Sequence, residues 1–224
     1  MKKIIAVVVA VSSIFFLTVT KTLAEWSAGV SVTHGVYEAD GQETEDGEIN
    51  KATAEEGRFT YPSLFLEYNL GRLSIGLDVI PGSVTTEEQA RTDYNVGACL
   101  VSCTTGNDGG DTGVTNKVSV ELSGHVGLYA LVPITDIGTY ARVAVMRVDV
   151  ETKENLGTGS TYPNTTMEGA SLSLGYQHNV DVAFFRAEVG YTEYEGVKVT
   201  SSNSHIVEAD VEGQWARISI GKTF

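Results

Sequence analysis

The sequence predicts an all-β chain: an eight-stranded antiparallel transmembrane β-barrel, up-and-down and closed. Three observations predict it. Apolar residues recur with a period of two through eight separate segments, which is the pattern of strands with two unlike faces and not of helices. The links between these segments alternate between short and long. The polar face carries charged residues at the middle of the segments, mixed with glycine and serine.

The N-terminus is set aside first. Lys2 and Lys3 precede an apolar run, Ile4 to Leu17, broken only by Ser12 and Ser13, and Thr22-Leu23-Ala24 follows as a small-residue cleavage site. This is the layout of a secretory signal peptide over residues 1–24, with residues 25–224 as the mature barrel domain. The run is too short for a spanning helix, which needs about 20 apolar residues. Removing residues 1–24 takes away Lys2, Lys3 and Lys21 and no acid, so the formal charge moves from −14 to −17. A chain this acidic repels nucleic acid.

The segments follow in order. Trp26, Ala28, Val30 and Val32 share one face of the first. Leu64, Leu66, Tyr68 and Leu70 mark the second, and Leu73, Ile75, Leu77 and Val79 the third. Val118, Val120, Leu122, Val126 and Leu128 mark the fourth, where they alternate with Ser119, Glu121, Ser123, His125 and Gly127. The fifth is ambiguous: Ala141, Val143 and Val145 give one parity, Met146, Val148 and Val150 the other. Ala170 to Tyr176, Ala183 to Tyr191 and Ala216 to Phe224 complete the set. Each is about 9–14 residues, enough to cross a bilayer at a tilt.

Short links fall at 70–72, 132–138 and 178–181; residues 38–57, 81–117, 151–166 and 194–212 read as long polar loops. With the N-terminus in the periplasm, every short link is periplasmic and every long one is outside, as in outer-membrane barrels. The polar face then becomes the lumen. Glu67, Asp78, Glu121, His125, Arg142, Arg186, Glu188 and Arg217 form its expected charge network, since a buried charge is tolerated only when paired. Tyr68, Tyr140, Tyr176, Phe184, Phe185, Trp26 and Phe224 near the periplasmic ends, and Tyr61 and Tyr191 near the outer ends, suit interfacial girdles; Arg147 is placed to snorkel. An outer-membrane lipid or lipopolysaccharide environment is the partner these faces imply.

The last eleven residues, Gln214 to Phe224, resemble the final strand of Gram-negative outer-membrane proteins, which ends in an aromatic residue. Gly71 to Ser83, with Ile75-Gly76-Leu77-Asp78 and Pro81-Gly82, looks like an upward strand of small barrels of the OmpA, OmpX and OmpW kind. The resemblance implies outer-membrane localisation and an assembly signal at Phe224 read by the barrel-assembly machinery. Lys222 departs from the family, which often has an aromatic there. It implies no ligand, because one fold hosts many functions.

Cys99 and Cys103 are a candidate local disulfide in an exported chain. The acidic stretch 38–56 and Asn107 to Asp111 read as solvated loops rather than cation sites. No catalytic, cofactor-binding or metal residue is assigned, and no cofactor is implied. The His-x-Ser pattern of lipid A deacylases is absent: His34, His125, His178 and His205 are followed two residues on by Val36, Gly127, Val180 and Val207. Ser204, His205 and Glu208 are the one local cluster of catalytic residue types. The expected role is structural or surface-interacting, and not enzymatic. A narrow passive channel for small, apolar molecules is the first alternative and a lipid A-modifying barrel enzyme the second. The partner of the long loops is not legible.

Overall fold

A computed structural model describes residues 25–45, 47–51, 55–93, 114–155, 161–181, 183–202 and 204–224. The proposed signal peptide, both cysteines and Asn107 to Asp111 lie outside these residues. Eleven strands are present: β1 (Glu25–Glu45), β2 (Glu48–Lys51), β3 (Glu55–Asn69), β4 (Ser74–Val79), β5 (Ser83–Thr85), β6 (Gln89–Asp93), β7 (Val114–Pro133), β8 (Thr139–Asn155), β9 (Thr165–Val180), β10 (Ala183–Thr200) and β11 (Ile206–Thr223).

They make eight staves, because β2 continues the β1–β3 hairpin and β5 and β6 prolong β4 along β7. All neighbours are antiparallel, in the order β11-β10-β9-β8-β7-β4-β3-β1. The ring closes where β1 pairs β11 from Ser27↔Thr223 to Thr44↔Ile206. The backbone of Phe224 adds one more bond, its N donating to the Trp26 carbonyl at 2.8 Å. Closure removes the sheet edges that lipid could not satisfy.

The short links all gather at one end. Gly71 (φ 79°) turns β3 into β4, Gly138 (φ 102°) ends the β7–β8 link, and Asp181 (φ 55°) sits between β9 and β10. Backbone in this left-handed region is easiest for glycine. At the other end the strands run on well past the lipid-facing belt, and this corrects the expectation of long loops. β1 has 21 residues. A tilted crossing of an apolar belt about 25 Å tall uses about ten residues, so about as many again stand outside the membrane. Much of 38–57, 151–166 and 194–212 is therefore paired strand. Polar composition misled the reading because strands in water need no apolar outer face.

The two faces of the wall differ sharply. Outward side chains include Val32, Leu64, Leu128, Leu172, Val189 and Ile218, all about half exposed or more. Inward side chains are buried and mostly polar or aromatic: Ser27, Ser31, Thr33, Ser63, Glu67, Tyr129, Tyr140, Phe184 and Trp215. The ambiguity of the fifth segment resolves here. Tyr140, Arg142, Ala144 and Val148 are buried in the lumen, while Val145 faces out.

Glycine makes room for the inward aromatics. Each large ring lies over a glycine directly opposite it on the next strand: Tyr129 over Gly76, Tyr140 over Gly175, Trp215 over Gly190 and Phe184 over Gly221. A Cβ at any of these would stand within 2.3–2.4 Å of the ring. Tyr140, Phe184 and Tyr61 are thus lumen residues, not girdle residues, since their parity matches Arg142, Arg186 and Ser63. The girdle at the short-turn end keeps Trp26, Tyr68, Tyr176, Phe185 and Phe224, with Trp26 and Tyr68 in contact at 4.8 Å between ring centres.

Candidate functional site

The lumen is the most highly constructed part of the molecule. Its lower layer is centred on Glu67, fully buried on β3. Arg186 of β10 reaches across the barrel and grips it with both terminal nitrogens: Nη1 donates to Oε1, and Nη2 to Oε2 at 2.7 Å. Tyr129 OH donates to the same carboxylate at 2.7 Å, and Arg186 Nε donates to Gln177 at 2.6 Å. The guanidinium also lies 4.3 Å from the Phe184 ring centre.

The upper layer is centred on Asp78 of β4. Arg142 of β8 and Arg217 of β11 both donate to its Oδ2, at 3.0 and 2.5 Å. Arg217 Nε donates to Thr33 Oγ1 at 2.9 Å, and the Arg142 guanidinium stacks 4.1 Å from the Tyr129 ring centre. Glu188 is buried on the same level. Three arginines and three carboxylates are buried inside the wall, so their formal charges balance: Arg186 pairs with Glu67, Arg142 and Arg217 share Asp78, and Glu188 Oε1 has no hydrogen-bond partner among the described residues. Above them Tyr37 and Tyr61 share a hydroxyl hydrogen bond of 2.8 Å. Between this pair, Asp78, His125 and Arg217 lies a gap of about 20 Å³, room for about one water. The buried Asp78 Oδ1 and His125 Nδ1, which lack a partner among the described residues, are the groups such a water would serve.

Seven of the eight sequence-predicted lumen residues face inward. Glu121 does not, and the reason is a β-bulge. β7 pairs β8 as Ser123↔Asp149 and then as Val126↔Arg147, so β7 carries one extra residue there. Gly124 takes the bend with φ 61°. One inserted residue turns every side chain beyond it to the other face. Glu121 thus points outward with Glu151 and Lys153, and Lys153 Nζ lies 3.2 Å from its carboxylate. Hydrogen bonds from Ser83 and then Lys153 hold its carboxyl below the usual carboxylate range. A second bulge, between Tyr194 and Val197 on β10, does the same opposite β11.

The cluster Ser204, His205, Glu208 is divided by the wall. His205 Nδ1 is 3.3 Å from Glu43, whereas Glu208 turns to Lys198 at 2.6 Å and Gln42 at 2.5 Å. Lys198 and Gln42 lower the Glu208 carboxyl in that order. Arg147 is exposed on the outer face, 3.7 Å from Asp149. No set of three or more His, Cys, Asp or Glu among the described residues is arranged to hold a metal.

The wall presents an apolar surface outward and a charge-paired, hydrogen-bonded surface inward, the inverse of a water-soluble barrel. The protein is a small outer-membrane-type β-barrel. No family model and no curated protein matches the chain. Among solved structures it is similar to the outer membrane protease OmpT from Escherichia coli, at 11% identity and a TM-score of 0.48, over 92% of this chain and 100% of that one. It is similar to Neisserial surface protein A, NspA, at 12% identity and 0.43, over 91% and 100%. It is also similar to the outer membrane protein OprG from Pseudomonas aeruginosa, at 14% identity and 0.40, over 88% and 97%.

Proposed function

We propose that this barrel is a sealed anchor in the Gram-negative outer membrane, and that its work is done by the strands it holds above the surface. The observation that carries this reading is the filled lumen. Two ion-paired layers block it, and the gap beside Asp78 and His125 admits about one water. A conducting path would need these pairs parted, and removing one partner of a buried pair costs about 3–5 kcal/mol. Outside the membrane the paired strands form a rigid collar rather than loose loops, suited to holding a binding surface in place.

On this reading residues 1–24 direct export and are removed, Phe224 marks the chain for barrel assembly, and lipopolysaccharide surrounds the apolar belt. Planar-bilayer recording on the refolded mature chain tests the seal. No current is expected from the wild type or from Glu121→Gln. A steady current through the wild type refutes it. Fractionation provides the companion test, with a heat-modifiable band expected in the outer-membrane fraction.

A further inference from the structure

The wall is not equally zipped all the way up. β3 is bonded to β1 from Glu55 to Asn69, but to β4 only from Leu64 to Asn69. Above that point β5 and β6 pair with β7 alone. Among the described residues, the β3 edge from Glu55 to Ser63 has no strand on its far side.

The sequence explains where the zip stops. Leu70 N donates to Leu73 O, so even-numbered β3 residues and odd-numbered β4 residues aim their backbone groups at each other. Ile80 N donates to His125 O, which sets the even β4 residues toward β7 instead. The last pair is Leu64↔Val79. Two residues on, the same register would bring Pro62 opposite Pro81, the next pair due to exchange hydrogen bonds. Neither has an N–H, so both bonds of that pair are lost together. Gly82 (φ 86°) then turns the chain away along β7. Among the described residues no strand takes up the backbone N–H and C=O groups of Glu56, Arg58 and Thr60, which point away from β1 along the collar.

We infer that this proline-opened seam is a docking edge for an extended, cationic peptide segment of a partner, which adds a strand beside β3. Strand addition needs an accessible edge with free backbone groups, and its main-chain bonds supply the affinity. Charge selects the kind of segment: four exposed glutamates, Glu38, Glu56, Glu87 and Glu88, stand around the seam, and with Glu56 paired to Arg58 at 3.0 Å and Glu88 to Lys117 at 2.6 Å, Glu38 and Glu87 leave the edge net negative. Such an edge is ordinarily a liability, blunted by proline. Here the two prolines open the wall and leave the three residues above them unblocked.

The inference rests on the surface role proposed above. The bilayer recording separates the two, since a conducting lumen would refute the anchor and leave the seam to be judged by its own titration. The probe is a fluorescein-labelled peptide of about ten residues alternating threonine or valine with lysine, titrated onto the full mature chain in lipid nanodiscs and read by anisotropy. Saturable binding is expected, with new hydrogen-exchange protection at the Arg58 and Thr60 amides. Arg58→Pro with Thr60→Pro removes two edge donors without touching the β1 ladder, and weakens binding by about tenfold or more. Pro62→Thr with Pro81→Ala restores both donors, lets β3 and the β4 stave zip further, and weakens binding by a similar factor. This second variant keeps the test decisive if the first does not fold. Equal binding by a peptide of the same composition carrying a central proline overturns the inference. So does equal binding by the zipped variant, or protection of both amides before any peptide is added.

Discussion

Replacing Arg186 with methionine probes the lumen most directly. Methionine keeps most of the volume and removes the charge, leaving Glu67 fully buried with one donor, the Tyr129 hydroxyl. An uncompensated buried charge of this kind costs about 3–5 kcal/mol. Glu67→Leu should cost a similar amount by stranding the guanidinium. The double variant should recover most of the loss, because similar-sized apolar groups replace a buried pair at little net cost. It retains about 1 kcal/mol of destabilisation from the Tyr129 hydroxyl left without its acceptor. The coupling energy of the cycle should therefore be about 5 kcal/mol or more. Urea unfolding in lipid vesicles measures it, followed by the fluorescence of Trp26 and Trp215. If each single replacement costs less than about 1 kcal/mol, the pair behaves like an exposed one. The lumen would then be wet, and the sealed anchor wrong.

Three further outcomes follow from the same geometry. Gly76→Val places a side chain within 2.4 Å of the Tyr129 ring and should cost about 3 kcal/mol or prevent the heat-modifiable band from forming, whereas Gly76→Val with Tyr129→Ala should fold better than the single variant. Gly124→Val forces a branched residue to φ 61° against the Asp149 carboxylate 2.6 Å away, so the collar above the bulge should lose about 1–3 kcal/mol of local protection in hydrogen exchange while the lumen stays intact. Glu121 and Glu208 both titrate below a free glutamate, so the pairing they support is present above the free carboxylate pKa and is lost as pH falls through the lowered one. Carboxyl carbon NMR shifts should show both midpoints depressed, and Lys153→Met should move that of Glu121 upward and leave Glu208 alone.

The fold was legible because lipid imposes a strict alternation and the lumen imposes its opposite. Each stave had only one phase that put Val32, Leu172 or Ile218 into hydrocarbon and Ser31, Ser171 or Ser219 inside. The fifth stave was the exception: its apolar residues allowed either phase, and the burial of Arg142 in the lumen decides it only in the structure. What the sequence hid was anything that changes phase. Gly124 fell in the outward phase between Leu122 and Val126, yet its left-handed backbone turns Glu121 and the strand beyond it around. Tyr61, Tyr140 and Phe184 read as girdle residues from their distance along the chain, whereas their parity with Ser63, Arg142 and Arg186 puts them inside. A stricter count would have found this. The collar was missed for another reason: strands in water on both faces carry no alternation to read.

The two prolines join these observations. Pro62 and Pro81 are each unremarkable in sequence, one inside a strand and one at the mouth of a polar segment. Only the register of β3 against β4 sets them in line, and only the direction of the neighbouring bonds shows that both missing donors belong to the same rung. A barrel in lipid must satisfy every backbone group within the hydrocarbon, so a break in the ladder is admissible only where water begins. The rung falls at that height: Val30 and Leu64, paired just below it, and Val32, level with it, turn apolar side chains outward, while His34 and Thr60 just above it bond to each other on the outer face at 2.8 Å. The wall is thus continuous where lipid demands it and open on one side where water permits it. The sealed lumen and the open seam are two results of one rule, that each polar group must find a partner in the medium around it.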